Sequence, residues 1–278
     1  MSGEASATGA SGGVGAASAG DLGPWRLEQD GPLAVLTIDK PPLNLFAEDV
    51  FDGVLAALDQ VREASPRALL IRAEGRVWTG GVDVNMFAGL SPESGADVWR
   101  RGFELIQGVE DLPFPVIFAA HALTLTWGFE LALACDLILA AEGAQFGLVE
   151  IVVGLTPSMG GPQRLAEKAG PSRAKDLVMT GQLFDAATMK DWGVVTRIWP
   201  DDEFAAKSRR FAERIANGPT VANRATKEIV KAQKEGGARA ADAIVPELAG
   251  SLFATEDLKR AVASFLEKGP GHATYEGR

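Results

Sequence analysis

The sequence predicts an α/β fold, on three observations: apolar strands alternate with amphipathic helices through the first two thirds, the last third is helical, and the composition is that of a folded globular protein. Strands that alternate with helices favour parallel pairing, with the helices packed outside. Apolar residues make up 46% of the 278 positions and charged residues 23%, a balance that is neither disordered nor fibrous. That length supports one large domain or two small ones.

Residues 1–22 are almost wholly Gly, Ala and Ser, with Glu4 and Asp21. They lack the basic start and apolar run of a signal peptide and contain no Arg. A disordered tail on a cytoplasmic protein is the expectation. Residues 25–29 and 33–38 read as two strands joined at Asp30-Gly31-Pro32, a turn-rich link suited to a hairpin. After Pro41-Pro42, residues 47–63 place Val50, Val54, Leu55, Leu58 and Val61 at helical spacing, and 68–71 form an apolar strand. Residues 75–81 are a glycine-bearing loop, 92–109 a helix, 116–120 a buried strand, 128–135 a helix and 137–140 a strand. Helices are expected at 204–216, 220–234 and 256–268, between Gly and Pro breaks. The chain divides into the tail 1–22, a core 23–203 that carries the chemistry, and a helical region 204–278.

Several functions are excluded. Residues 112–129 are uncharged over the length of a short membrane span, but Pro113, Pro115, His121 and Gly128 interrupt them and Asp111 and Glu130 bound them, so no membrane partner is expected. A net charge of −10, from 37 acidic and 27 basic residues, argues against nucleic acid, which wants a basic face. Cys135 is the single cysteine and sits among apolar neighbours, so it reads as a buried thiol in a reducing compartment. Two distant histidines and one cysteine build no metal site, and no phosphate-binding or dinucleotide glycine motif is present.

Two glutamates stand out. Glu130 lies in Trp127-Gly128-Phe129-Glu130-Leu131-Ala132-Leu133 and Glu150 in Phe146-Gly147-Leu148-Val149-Glu150-Ile151. A carboxylate in an apolar run is paired, surface-facing or functional, and desolvation raises its pKa toward the range useful for proton transfer. Composition alone leaves the choice open, because either Glu could point outward or sit at a helix terminus.

Longer motifs narrow it. Glu130-Leu131-Ala132-Leu133-Ala134-Cys135-Asp136, followed by Ala144-Gln145-Phe146-Gly147-Leu148-Val149-Glu150-Ile151, resembles the core signature of the enoyl-CoA hydratases of the crotonase superfamily. Gly154-Leu155-Thr156-Pro157-Ser158-Met159-Gly160-Gly161-Pro162 resembles that family too, and Val77-Trp78-Thr79-Gly80-Gly81-Val82-Asp83 is similar to its first oxyanion loop. Order and spacing match over about residues 24–270.

The resemblance implies a crotonase-like ββα spiral with a C-terminal helical trimerisation region, assembled as a trimer or a dimer of trimers. It implies an acyl-CoA thioester as substrate, with no cofactor beyond the CoA that the substrate carries. The backbone N–H groups of Val82 and Trp127 would form the oxyanion hole, with Gly81 and Gly128 beside the substrate. Glu130 would activate the water that attacks Cβ, and Glu150 would supply the Cα proton. Hydration of a trans-2-enoyl-CoA is the reaction implied; isomerase, thioester hydrolase, decarboxylase and silent CoA-ester scaffold are the alternatives. Phe265 and Lys268 match a C-terminal stretch that contributes to CoA binding, often in a neighbouring subunit.

The chain departs from the family pattern in three places. Thr126-Trp127-Gly128 replaces a usual run of three glycines, so Trp127 either reshapes the pocket, distorting the second oxyanion donor if that position needs positive φ, or packs in the core or at a subunit contact. Leu148-Val149 replaces Gln-Pro, an apolar change that would raise the pKa of Glu150 further. His121-Ala122 replaces Asn-Gly, and His121 reads as a satisfied residue outside the site. Asp83 and Asp136 read as turn or cap residues.

Overall fold

The computed structural model describes residues 21–278; residues 1–20 of the expected tail lie outside the described residues. Strand β1 (Trp25–Asp30) and β2 (Leu33–Ile38) form the expected antiparallel hairpin, with Trp25 opposite Ile38 and Asp30 opposite Leu33. Helix α1 (Glu48–Ala64) leads to β3 (Ala68–Ala73), α2 (Pro92–Glu110) to β4 (Val116–Ala120), and β5 (Thr124–Leu125) runs directly into α3 (Thr126–Ala134). After β6 (Leu137–Ala141) come β7 (Gln145–Gly147), α4 (Gly161–Ala169), α5 (Pro171–Thr180), β8 (Phe184–Asp185), α6 (Ala186–Asp191) and β9 (Arg197–Trp199). The main sheet has the order β1-β2-β3-β4-β6-β9 and is parallel from β2 onward, while β5, β7 and β8 form a small second sheet.

All six residues of β2 and all five of β4 are buried, because helices cover both faces of the sheet. Side chains alternate between two cores. Ala34, Leu36 and Ile38 join Val54, Leu58 and Ile106 on one face. Leu33 and Val35 meet Phe204, Phe211 and Ala212 of α7 (Asp201–Ala216) on the other.

Helix α3 lies inside the first core, with all nine of its residues buried. It starts two residues before the expected Gly128, which places Trp127 in its first turn. The C-terminal region is helical as expected. Helix α8 spans Thr220–Ser251, well beyond the expected end at 234, with a break at Gly237, and α9 spans Glu256–Lys268. Arg67, just before β3, ties this region to the sheet by donating to Thr220 Oγ1, the Gly218 carbonyl and the Tyr275 carbonyl.

Candidate active site

A cavity of about 200 Å³ opens between the 80–87 loop, the N-terminus of α3 and the segment that follows β7. Glu130 and Glu150 both line it. Glu130 is 2% exposed, on the second turn of α3. Its Oε1 accepts the N–H groups of Met159 (2.9 Å) and Gly161 (2.8 Å), where the chain enters α4. Burial pushes its pKa up to about 7, against the opposing pull of those two N–H groups and the charge of Arg164. Glu150 opens a short 3-10 helix, Glu150–Val153. Burial, with the nearby charge of Glu130, pushes its pKa up to about 8, and its Oε2 is buried with no protein partner. Two like-charged groups in one apolar cavity resist ionising together, so near neutrality the pair tends to hold one proton.

In the loop that lines the same cavity, Val82 pairs with Phe46 in an isolated parallel bridge. The bridge uses the Gly81 carbonyl and the Asp83 N–H, each 2.9 Å from Phe46. The Val82 N–H therefore points away from Phe46, and it meets no acceptor among the described residues. Trp127 lies in the first turn of α3, where backbone N–H groups have no partner within the helix. Gly81 takes φ 110°, a conformation that favours glycine. The loop is pinned by Thr79 Oγ1, which donates to the Asn44 carbonyl (2.7 Å) and accepts from the Gly81 N–H (3.0 Å) and from Trp127 Nε1 (3.0 Å). Val82 and Trp127 thus line the same cavity as the two carboxylates.

The profile of the enoyl-CoA hydratase/isomerase family matches residues 28–277. The chain belongs to this family. It is 30% identical over 245 residues to the crotonyl-CoA hydratase of Syntrophomonas wolfei, spanning 87% of this chain and 94% of that one. It is 29% identical, over the same shares, to the short-chain-enoyl-CoA hydratase of Clostridium acetobutylicum. The crystal structure of enoyl-CoA hydratase from Bacillus anthracis superposes with a TM-score of 0.85 at 27% identity, covering 92% of this chain and all of that one. The crotonase fold expected from the sequence is therefore the fold observed.

Within the family frame, several site expectations change. The positive φ falls on Thr126 (46°), not on Trp127. Of the two readings of Trp127, the core one holds: its indole packs between Trp25, Phe46 and Trp78, with ring centroids 5.2–6.3 Å apart. Gly128, expected beside the substrate, backs onto the protein instead. A Cβ there would lie 2.5 Å from Thr79 Cγ2 and 2.9 Å from the Trp78 ring, so its role is close packing. Phe265, 59% exposed, and Lys268 lie on α9 and do not line the cavity of their own chain.

Other readings hold as expected. His121 Nε2 lies 2.9 Å from the Gly75 carbonyl, and burial lowers its pKa, which suits a neutral ring donating that bond. Asp83 caps the 3-10 helix Val84–Phe87, and Asp136 accepts from the Val116 N–H and Lys227. Cys135 is buried and its thiol pKa is raised by that burial. Sequence reasoning missed Met159 and Gly161 as the donors that hold Glu130, since backbone groups leave no mark on residue type. It also gave Thr126 no role. The signal there was a β-branched residue where the family has glycine, and its strain, on the order of 1–3 kcal/mol, is of the kind that gathers at functional sites.

Proposed function

We propose that the protein is an enoyl-CoA hydratase that adds water across the 2,3 double bond of a trans-2-enoyl-CoA to give the 3-hydroxyacyl-CoA. The observation that carries this reading is the pair of buried carboxylates, both with raised pKa, in one cavity with two unpaired backbone N–H groups. Burial raises both pKa values; the two N–H donors on Glu130 Oε1 favour its charged form, whereas Glu150 Oε2 has no protein donor to do the same.

In the forward step the Glu130 carboxylate takes a proton from water as the oxygen bonds to Cβ. The electron pair moves toward the thioester oxygen, where the N–H groups of Val82 and Trp127 meet the developing charge. Glu150 then delivers its proton to Cα. Fixed backbone dipoles suit this task because they need no reorientation as the charge forms. Gly81, which lines the cavity beside Val82, gives the substrate close access to the loop. Water held between two carboxylates is what hydration needs and what simple isomerisation does not, so retention of both residues favours the hydratase.

The reading extends to assembly. Val262, Phe265 and Leu266 of α9 are exposed apolar residues at helical spacing, which supports a homotrimer or a dimer of trimers in which Phe265 and Lys268 approach a neighbour's CoA. The only group needed besides protein is the CoA of the substrate, and a cytoplasmic setting suits such a ligand. Among the described residues, no helix is long and apolar enough to cross a membrane.

The test is turnover of crotonyl-CoA and longer trans-2-enoyl-CoAs, followed by loss of enoyl absorbance and by product mass, with Glu150→Gln alongside. Gain of one water by the wild type, lost in the variant, is expected. A shifted double bond, a free acid or loss of carbon dioxide would replace hydration by isomerase, hydrolase or decarboxylase chemistry. Binding of the ester without any product would indicate a scaffold.

A further inference from the structure

The hydroxyl of Thr126 is an anomaly that the two-carboxylate scheme does not use. The residue is 6% exposed, yet its Oγ1 is buried without a hydrogen-bond partner, and the residue lines the same cavity as Glu130 and Glu150. A hydroxyl brings one donor and two acceptor positions, and burying it unpaired is unfavourable. Valine would fill the same space without that cost. The backbone adds to the puzzle, since φ is 46° at a β-branched residue, a conformation that glycine would adopt freely.

The position of the hydroxyl points to its partner. A Cβ built on Gly81 would lie 3.2 Å from Thr126 Oγ1, so the hydroxyl rests against the residue whose carbonyl carbon is bonded to the Val82 nitrogen. The carbonyl carbon of Thr126 is itself bonded to the Trp127 nitrogen. Thr126 therefore carries one donor on its own peptide, packs its hydroxyl against the residue that carries the other, and lines the same cavity as both. The neighbouring Thr79 hydroxyl is already engaged with Asn44, Gly81 and Trp127, which leaves Thr126 as the free hydroxyl of the pair.

We propose that the Thr126 hydroxyl is a third donor to the thioester oxygen held by the N–H groups of Val82 and Trp127, making the oxyanion hole of this chain a three-donor site. The inference rests on the reading of the cavity as an acyl-CoA site and deepens it. A hydroxyl donor strengthens as its acceptor gains charge, so this contact favours the enolate over the ground-state thioester and acts on turnover more than on binding.

The test separates this inference from the hydratase reading. Butyryl-CoA, which has no double bond to hydrate, is labelled with carbon-13 at its thioester carbonyl and bound to wild type, Thr126→Val, Thr126→Ser and Thr126→Gly. The carbonyl stretch is then read by isotope-edited infrared spectroscopy, and turnover of crotonyl-CoA is measured on the same proteins. In wild type the carbonyl band is expected to shift to lower frequency on binding. In T126V part of that shift is lost and kcat falls by about 10²-fold, with KM little changed, and T126S recovers most of both. T126G relieves the backbone and is expected to melt no lower than wild type while losing the same part of the shift, which guards against a T126V protein that does not fold. A bound band identical in wild type, T126V and T126G overturns the inference. If crotonyl-CoA is not hydrated but the band still follows the hydroxyl, the third donor stands and the hydratase reading falls.

Discussion

Glu150 shows how a single residue ties the site to the stability of the molecule. Its pKa is raised from an ordinary value of 4.5 to about 8 by burial and by the charge of Glu130. Between those values the folded protein binds more protons than the unfolded chain, so stability falls as pH rises through that window. Below it both states are protonated and nothing is lost; above about 8 the full penalty of a buried carboxylate is present. Glutamine has the same shape and never ionises. Glu150→Gln is therefore expected to melt close to wild type at pH 5 and several degrees above it at pH 9, as measured by thermal unfolding across pH. A difference that stays constant with pH would mean that Glu150 titrates as an ordinary surface carboxylate and is unsuited to hold a proton at neutrality. The two glutamates were legible in the sequence because ionisable groups stand out in apolar runs. Thr126 was not, because what sets it apart is a backbone angle and an unpaired oxygen, neither of which residue type reveals.

The elements that were legible are those with a clear hydrophobic period. Residues 47–63 were read as a helix and Glu48–Ala64 is one, with its buried side chains on one face. Strands β5, β7 and β8 span only two or three residues each, too short for any alternation to register. Helix α3 hid its start for the opposite reason: it is buried on all sides, so no polar face marks its first turn. The resemblance supplied what periodicity could not, placing Trp127 at the start of this helix, where its N–H is among the donors without a partner in the helix. Helix α4 acts on the site from the other side. The Gly161 N–H holds Glu130 Oε1, and a Cβ at Gly161 would lie 3.0 Å from Glu130 Cγ, from its Oε1 and from Leu148 Cδ1. These contacts are tighter than side chains normally make, so Glu130 and Leu148 must give way by a few tenths of an ångström. Gly161→Ala is expected to fold and bind ester while its kcat drops several-fold, since the shift needed is a few tenths of an ångström and a misplacement near 1 Å costs on the order of 10²-fold. Steady-state kinetics on crotonyl-CoA checks this; an unchanged kcat would show that the entry to α4 does not set the position of the base.

At the scale of the molecule, the carboxylates and backbone donors all come from one chain, whereas Phe265 and Lys268 do not line the cavity that holds them. Helix α9 presents Val262 (49% exposed), Phe265 and Leu266 (80% exposed) at i, i+3 and i+4, a stripe along one face. Exposed apolar stripes of this kind mark association surfaces. On the surface of a monomer, Leu266→Asp would change stability by no more than about 0.5 kcal/mol. In an assembly closed by α9 it would place a charge in an apolar contact. Light scattering of the wild type is expected to show three or six copies, and Leu266→Asp to show fewer. An unchanged particle mass would mean that the stripe is not the contact. The kinetic consequence follows from the division of labour between chains. If α9 completes the CoA site of a neighbour, dissociation raises KM, because Phe265 and Lys268 no longer reach the ligand. The chemical step then survives at saturating ester, because Glu130, Glu150, Val82 and Trp127 remain together within each chain.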